Sequence, residues 1–276
     1  MPDNLVEVYT NCYGRYGIAA AIELVPKLGL SHVELALKPH DGQLVIPGDV
    51  VAAADMGPER EAALLQSLRE HGVTAISGNG GDRMTEPEGV ARFKARLDLA
   101  QRLGLQIVVG SAGEADEAER PALLANLSDV GDYAAARGLL VCFESHPGIT
   151  VNAAEMLRTM EDLQHPALRL NFDTANVLYY TEGADLLQQL RTVAKYVGHV
   201  HLKDSRGGYR EWYFPALGEG GAVDFRAVGR LLNDSGFFGP FSIELEGIGG
   251  EPELSLQERQ ARLQRSVDHL RQVGFL

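Results

Sequence analysis

Short runs of apolar and β-branched residues recur along the chain, and each is followed by a longer segment whose apolar residues return every three or four positions. The short runs are typical of buried strands and the longer segments of amphipathic helices. Eight strand and helix pairs predict a (β/α)8 TIM barrel, formed as a single domain over residues 1–276. The predicted strands are LVEVYT (5–10), HVELAL (32–37), VTAISG (73–78), LQIVVG (105–110), LLVCFES (139–145), LRLNFD (168–173), VGHVHLKD (197–204) and FSIELEG (241–247).

Glycines mark the ends of several predicted helices. The segments KLGLSHVEL, REHGVTAI, QRLGLQIVV and AARGLLVCF each place a basic or polar last turn before a glycine and a new strand. A glycine at this position accepts the left-handed backbone that closes a helix. The glycines at predicted helix ends are Gly29, Gly72, Gly104, Gly138 and Gly236. The main alternative is an open doubly wound sheet, but no GxGxxG motif follows the first strand.

Composition narrows the class of protein. The formal charge of −13 argues against a nucleic acid or a phospholipid surface as a partner, and it favours binding of a divalent cation. The two cysteines, Cys12 and Cys142, lie far apart and have no metal-binding spacing, which fits a reducing compartment. The first residues do not resemble an export signal, and no apolar run approaches the length of a membrane span. We therefore expect a cytoplasmic protein.

Four consecutive late strands end in residue types that bind metals. These are Glu144 in VCFESHPG, Asp173 in LNFDTANV, His201 in HVHLKD and Glu244 in FSIELEG. Active sites of such barrels lie at the carboxyl ends of the strands, so these side chains are expected to converge. Buried carboxylates repel one another unless a cation lies between them. Three carboxylates and one imidazole suit Mn²⁺, Mg²⁺, Co²⁺ or Zn²⁺, and the residues alone do not select one of them.

The stretch GHVHLKD places two histidines on one face of a predicted strand, because side chains alternate along a strand. Lys203 follows on the same face. Each residue of the predicted site also has a structural alternative when it is taken alone: Asp173 can cap the turn into TANV, and Glu244 or Glu246 can pair with Lys203. The coincidence of four metal-binding types on four successive strands favours the metal site.

The motifs ESHPG, NFDTANV, HVHLKD, LGEGGAVDF and IELEG, in this order, resemble the xylose isomerase-like superfamily of sugar phosphate isomerases and epimerases. The resemblance spans essentially the whole chain. It implies one divalent metal ion, with Mn²⁺ expected first, held by four residues. These are Glu144, Asp173, His201 and Glu244. In the corresponding strand of the family, the second histidine is the ligand, which points to His201 rather than His199.

The chemistry that the resemblance implies is abstraction of a proton from a carbon next to a carbonyl, through an enediolate that the metal stabilises. In the ketose epimerases of the family, two metal-binding glutamates exchange the proton, which implies Glu144 and Glu244 as catalytic residues. His146 shares the inward face with Glu144 and is an expected auxiliary acid or base, unless it is a loop residue before Pro147. Lys203 either polarises the substrate carbonyl or pairs with a ligand carboxylate.

The chain departs from two branches of the superfamily. Endonucleases that cut DNA at abasic sites hold three zinc ions with extra histidines, and this chain has Asn176, Trp212 and Phe214 where those ligands would stand. Ketose 3-epimerases have a histidine at the position of Asn176 and an arginine one residue after the position of Arg206. A free ketohexose is therefore an uncertain substrate, and we predict that Asn176, His199, Arg206 and Trp212 lie on the substrate side of the site.

The sequence thus favours a metal-dependent isomerase or epimerase of a sugar or sugar-like ketone. The alternative is a lyase or dehydratase that uses the same metal site on an inosose or a 3-keto-glycoside, with Trp212, Tyr213 and Phe214 as an apolar platform or, equally, as core packing. A sugar-binding barrel without catalysis and an abasic-site endonuclease are less favoured. The expected partner is a small sugar or polyol-derived molecule, and relatives often form dimers or tetramers.

Overall fold

Eight parallel strands close into a barrel, in which each strand pairs with the next barrel strand along the chain and the last pairs with the first. This arrangement is seen in a computed structural model, which describes residues 4–37 and 52–276. The barrel strands are β1 (Val6–Tyr9), β2 (His32–Ala36), β3 (Thr74–Asn79), β4 (Ile107–Gly110), β5 (Leu140–Glu144), β6 (Leu168–Asp173), β7 (Val197–Leu202) and β9 (Phe241–Ile243). The structure confirms the predicted (β/α)8 TIM barrel: each predicted strand overlaps one barrel strand, and only β3 extends beyond its predicted range, by one residue.

Helices connect the strands and cover the outside of the barrel. They are α1 (Gly17–Leu24), α2 (Pro58–Glu70), α3 (Pro87–Leu103), α4 (Arg120–Ala135), α5 (Ala153–Leu163), α6 (Asn176–Tyr180), α7 (Leu186–Val193), α8 (Phe225–Asp234) and α9 (Leu256–Gln272). Short 3-10 segments span Thr10–Tyr16, Val25–Leu28 and Ala194–Tyr196. The five glycines predicted at helix ends all have positive φ angles between 65° and 80°, as left-handed caps require.

A second, two-stranded sheet lies outside the barrel. Strand β8 (Tyr213–Phe214) pairs antiparallel with β10 (Gly247–Ile248), so that Phe214 faces Gly247 and Tyr213 faces Ile248. Both strands follow barrel strands on the carboxyl side, β8 after β7 and β10 after β9. The small sheet therefore stands at the carboxyl end of the barrel, where the active site of such a fold lies.

The apolar core packs between the strands and the helices, whereas the barrel interior is largely polar at its carboxyl half. Alternate residues of a strand point inward, and register pairs Asn171 with His199 and Asp173 with His201. His201 in turn lies opposite Ser242 on β9. These side chains are fully buried. Buried polar groups are costly unless they are hydrogen-bonded, so this interior is expected to be a connected network.

Among the helices of the described ranges, none is long and apolar enough to cross a membrane. A single domain over residues 1–276 stays a prediction, because residues 1–3 and 38–51 lie outside the described ranges.

Candidate metal centre and active site

The four predicted metal ligands come together at the carboxyl end of the barrel. Glu144 ends β5, Asp173 ends β6, His201 lies near the end of β7, and Glu244 directly follows β9. One ligand atom from each of the four residues lies within 4.8 Å of the others. All four residues are buried, and Asp173 and His201 have no exposed surface. The residue types, the spacing and the burial of the cluster are therefore those of a metal centre.

The electrostatics of the cluster fit a cation. Oδ2 of Asp173 and Oε2 of Glu244 are buried, and neither accepts a well-aligned hydrogen bond, although Nζ of Lys203 forms an ion pair with each of them. Burial, together with the nearby carboxylates of Glu246 and Glu144, raises the pKa of Glu244 to about 8, even though Lys203 and His201 oppose this rise. A divalent cation among these oxygens would remove the mutual repulsion of the carboxylates that one ammonium group only partly offsets. The residues present thus fit a divalent metal ion.

Asp173 has two separate tasks. Its Oδ1 accepts hydrogen bonds from the backbone N–H groups of Ala175 and Asn176, at 2.8 Å each. These bonds fix the turn that leads into α6, as the sequence pattern suggested for a cap. The second oxygen, Oδ2, takes no part in the cap and faces the cluster, where Nζ of Lys203 lies 3.0 Å away. The capping and the metal-binding roles are therefore compatible in one side chain.

His201 is oriented by Glu34, a fully buried carboxylate on β2. Nε2 of His201 lies 3.0 Å from Oε2 of Glu34, and the hydroxyl of Ser242 donates to the same oxygen at 2.6 Å. A proton shared with Glu34 at Nε2 leaves Nδ1, which lies 2.9 Å from Oε1 of Glu144, directed at the cluster. The Tyr9 ring stacks on the imidazole at 5.7 Å and restricts its rotation.

The carboxylates around His201 favour its protonated form when no metal is bound. Burial would lower the pKa of His201, but the carboxylates of Glu34, Glu244 and Glu144 raise it well above its ordinary value. Burial would likewise raise the pKa of Glu34, yet the His201 and His199 charges lower it. Binding of a cation at Nδ1 would therefore displace a proton from His201.

His199 lies one layer deeper than His201. Its Nδ1 is 2.8 Å from Oδ1 of Asn171, and its Nε2 is 2.8 Å from Oε1 of Glu7, which also accepts from Ser77 at 2.6 Å. The side chain has no exposed surface. Glu34, His199 and His201 are also close enough to one another to bind an ion, but hydrogen bonds already occupy these atoms. The structure thus places His199 beneath the ligand layer and away from the cavity where a substrate would lie.

Lys203 is buried beside the cluster and contacts three carboxylates. Its Nζ lies 3.0 Å from Oδ2 of Asp173 and 2.8 Å from both Oε2 of Glu244 and Oε2 of Glu246, and it donates to Oδ1 of Asn176 at 3.2 Å. Burial would lower the pKa of Lys203, but Asp173, Glu244 and Glu246 raise it well above its ordinary value. The ammonium group is therefore charged at neutral pH, and it faces the same space as the predicted ligands.

His146 reaches the site from the turn after β5. Its Nδ1 lies 3.2 Å from Oε2 of Glu144, and 37% of its side chain is exposed, so a substrate can reach the ring. Burial lowers the pKa of His146, but the Glu144 carboxylate outweighs this effect and the pKa is raised. The imidazole is thus a proton carrier that points into the cavity from the Glu144 side.

A cavity of about 760 Å³ opens above the cluster, within the size range of small-molecule sites. Its walls include the predicted residues Glu144, His146, Asn176, Lys203, Trp212 and Glu244, and also Tyr9, Asn11 and Glu246. Arg206 is not among the residues that line it: this side chain is exposed, pairs with Glu211 and stacks on the Tyr213 ring at 3.7 Å. The structure therefore brings most of the predicted site residues together, and it leaves out His199 and Arg206.

Several residues of the site were not identified from the sequence. Asn11 donates to Oε1 of Glu244 at 3.0 Å, and Tyr9, Glu7 and Glu34 reach the centre from β1 and β2. One signal was available: LVEVYT and HVELAL each carry a glutamate inside an otherwise apolar strand. A charge in such a run points to a polar barrel interior, since a carboxylate is rarely buried without a partner.

Comparisons with known proteins agree with the barrel fold. A family model described as a xylose isomerase-like TIM barrel matches residues 22–273. An inosose dehydratase from Geobacillus thermodenitrificans is 26% identical over 209 residues, which cover 63% of this chain and 69% of the relative. An inosose dehydratase from Yersinia enterocolitica is 29% identical over 136 residues, so the match spans 43% of this chain and only 45% of that relative.

The fold is also shared with solved structures. The crystal structure of a D-psicose 3-epimerase, determined in the presence of D-fructose, superposes with a TM-score of 0.76 at 16% identity and covers 99% of this chain and 100% of the other. At this identity the likeness concerns the fold alone. Because the family model covers residues 22–273, the chain belongs to the xylose isomerase-like TIM barrel family.

Proposed function

We propose that the protein is a divalent-metal-dependent enzyme that removes a proton from the carbon next to the carbonyl of a sugar-like ketone. The observation that carries this proposal is the buried cluster of three carboxylates and one imidazole at the floor of the cavity. A divalent cation held by this cluster would act as a Lewis acid on the carbonyl oxygen and on the oxygen of the neighbouring carbon. A carboxylate within reach of the same carbon provides the base.

Within this chemistry we propose a dehydratase acting on a cyclic polyol ketone of the inosose type. The inosose dehydratase relatives support this choice, and so does the distribution of proton carriers in the cavity. Glu244 follows β9 and His146 follows β5, so that two groups able to donate or accept a proton face one substrate from different sides. Loss of water from a ketone needs both a base at the carbon and an acid at the departing oxygen.

The proposed steps use side chains with separate positions. Glu244, in its ionised form, takes the proton from the carbon next to the carbonyl, and the electron pair of that C–H bond moves toward the carbonyl oxygen. Nζ of Lys203 donates a hydrogen bond to the oxygen on which negative charge develops. His146 then gives its proton to the hydroxyl on the next carbon, which leaves as water while the carbon–carbon double bond forms.

An epimerase is the second candidate, and the placement of the two glutamates supports it. Glu144 and Glu244 are on strands separated by β6 and β7, and both approach Nδ1 of His201, at 2.9 Å and 3.4 Å. Two carboxylates around one point can remove a proton from one face of a carbon and return it to the other. This reaction inverts a carbon and releases no water.

One NMR experiment in D₂O separates the candidates. The Mn²⁺-loaded protein is incubated with 2-keto-myo-inositol and, in parallel, with D-fructose. A dehydratase incorporates deuterium into the inosose and forms the unsaturated product, whereas an epimerase yields an inverted, deuterated sugar and no unsaturated product. If every C–H bond of both ketones stays unexchanged, the proposal of an enzyme for this ketone class is wrong.

Two substitutions assign the roles. Glu244→Gln is expected to abolish deuterium exchange. His146→Asn is expected to keep exchange but slow water loss by about 10²-fold or more, because general acid catalysis contributes roughly this much. Glu117→Gln, an exposed surface residue paired with Arg158, is the matched control and should leave both rates unchanged. Equal loss of exchange and elimination in His146→Asn would contradict the separate role of His146.

A further inference from the structure

Four aromatic side chains form a continuous wall on one side of the cavity, and we call them the aromatic wall: Tyr179, Tyr180, Trp212 and Phe214. Their rings contact one another in edge-to-face or tilted pairs, with centroids 4.9 Å apart for Tyr179 and Tyr180 and 5.2 Å apart for Trp212 and Phe214. Tyr179 also touches Trp212 at 6.0 Å and Phe214 at 5.7 Å. The wall is therefore a single packed surface.

The wall is held from outside the barrel. Phe214 belongs to the small sheet of β8 and β10, and the backbone N–H of Gly249 donates to the carbonyl of Trp212 at 2.8 Å. The N–H of Arg210 donates to the carbonyl of Tyr179 at 3.0 Å. These backbone bonds tie the loop after β7 to α6 and to the segment after β9, so the backbone that carries the rings is held in place.

Three of the four rings are partly exposed to the cavity, and Phe214 is buried behind them. Trp212 is 43% exposed, and Tyr179 and Tyr180 are only half-buried. Apolar aromatic surface in a cavity costs free energy in water, and the usual reason for its presence is a ligand that covers it. The wall starts at the acidic floor, since Tyr180 lies 5.6 Å from the His146 ring and the Phe214 ring lies 5.1 Å from Nζ of Lys203. Floor and wall therefore form one continuous site.

The volume of the cavity exceeds what one ring needs. A cyclic six-carbon ketone of about 12 non-hydrogen atoms fills at most about 360 Å³, even if each atom took the ~30 Å³ of a liquid water molecule. The cavity measures about 760 Å³. Roughly half of it is left after a single ring lies on the floor, and this remaining part includes the wall.

We propose that the aromatic wall is a subsite for a second ring, carried by a substrate whose first ring reacts at the acidic floor. The inference rests on the proposed function, which places a sugar-like ring beside the cluster. The substrate class is a glycoside of the reacting ring, with a sugar or an aryl group as the second ring. Aromatic side chains bind such rings through their apolar faces, and the Tyr179 and Tyr180 hydroxyls add polar partners.

The protein contains a built-in reporter for this subsite. Trp212 is the only tryptophan of the chain, so intrinsic tryptophan fluorescence reports on the wall alone. The test titrates the protein, with and without Mn²⁺, with methyl β-D-glucopyranoside, phenyl β-D-glucopyranoside and cellobiose. The first probe lacks a second ring, the second carries an aryl ring and the third a sugar ring.

The expected result is a saturable fluorescence change, with at least one two-ring probe bound about tenfold or more tightly than the methyl glycoside. The better of the two identifies the nature of the second ring. Tyr179→Ala should reduce the preference to about twofold or less. Tyr209→Ala is the matched control. This tyrosine lies three residues before Trp212 and is 43% exposed, but it does not line the cavity, so the preference for a two-ring probe should be unchanged.

The preference is measured separately from metal binding. Equal affinity for all three probes, or no fluorescence response to any of them, overturns the subsite whether or not the protein binds Mn²⁺. Absence of Mn²⁺ binding overturns the proposed function instead. If circular dichroism shows that Tyr179→Ala does not fold, Trp212→Phe replaces it, and calorimetric titration with the same probes replaces fluorescence. The preference for a two-ring probe should then fall by only about threefold, because one aromatic ring substitutes for another.

Discussion

At the scale of single residues, the sequence predicted the four residues that the structure brings into one cluster, but not Glu34, which contacts one of them. Glu144, Asp173, His201 and Glu244 could be predicted because barrel strands deliver their last residues to one place. Glu34 could not, since it lies inside HVELAL, and its partner His201 is 167 positions away in the chain. Only barrel closure brings the two side chains together.

Glu34→Gln tests the orienting role of Glu34. The amide is the same size but carries no charge, so Nε2 of His201 loses its anionic partner and Nδ1 is held less firmly toward the cluster. We expect the affinity for Mn²⁺ to fall about 10- to 100-fold, the range found when such supporting carboxylates are removed. Calorimetric titration of chelator-stripped protein measures this affinity.

The matched control for Glu34→Gln is Glu117→Gln, which removes an exposed carboxylate of the same type. The fold of both variants is checked by circular dichroism. An unchanged Mn²⁺ affinity in a folded Glu34→Gln protein would show that the contact between Glu34 and His201 has no role in metal binding.

At the scale of elements, the alternation of apolar and polar residues predicted every barrel strand, and the glycine ends of the helices were confirmed by positive φ angles. The pattern did not indicate α6 or the small sheet of β8 and β10. A helix of five residues and strands of two residues are too short to show a period. Both are built around the site, where tertiary contacts rather than local preference determine the backbone.

Asp82 links the end of β3 to α3 and gives a prediction about pH. Its carboxylate, 1% exposed, pairs with Arg92 at 2.9 Å and with Arg96 at 2.8 Å. Burial would raise the pKa of Asp82, but hydrogen bonds from the two arginines lower it. A lowered pKa in the folded state means that the carboxylate stabilises the fold above its unfolded pKa of about 3.9, and that this stability is lost as the pH falls through the folded pKa.

Asp82→Asn should therefore lower the free energy of unfolding by about 3 kcal/mol at pH 7, as breaking a buried ion pair does. The difference from the wild type should shrink as the pH falls below about 4, because the Asp82 carboxyl then takes up a proton in the unfolded state while it is still ionised in the folded state. Urea unfolding at pH 7 and pH 3.5 measures both values. Glu61→Gln, which removes a more exposed ion pair with Arg102, should lower the free energy of unfolding by less than about 1 kcal/mol. A difference that grows on acidification would contradict the sign of this prediction.

At the scale of the whole molecule, closure of the barrel explains what the sequence could not show. Strand β1 pairs with β9, so the first strand of the chain contributes Glu7 and Tyr9 to a site whose ligands come from its second half. The excess of negative charge along the chain suggested a cation, and the structure concentrates three carboxylates at one buried point. Composition alone could not indicate where that point lies.

Metal removal should change the stability of the whole barrel. A cation that binds only the folded state stabilises it by about 2.7 kcal/mol at a free concentration of 100 times Kd. For a chain of this size we expect the Tm to fall by roughly 5–10 °C when Mn²⁺ is removed with a chelator, and to recover when Mn²⁺ is restored. Scanning calorimetry measures the shift. A Tm that is the same in both states would contradict a metal centre inside the barrel.

The central claim is that one divalent cation binds at the cluster of Glu144, Asp173, His201 and Glu244. The most direct test is calorimetric titration of Mn²⁺ into chelator-stripped wild-type protein and into Asp173→Asn. The asparagine keeps the Oδ1 that caps the turn into α6 but loses the charge at Oδ2, so the fold should persist while the ligand weakens. We predict one Mn²⁺ per wild-type chain and at least about a 100-fold loss of affinity in the variant. No binding to the wild type, or equal binding to a folded Asp173→Asn protein, would contradict the claim.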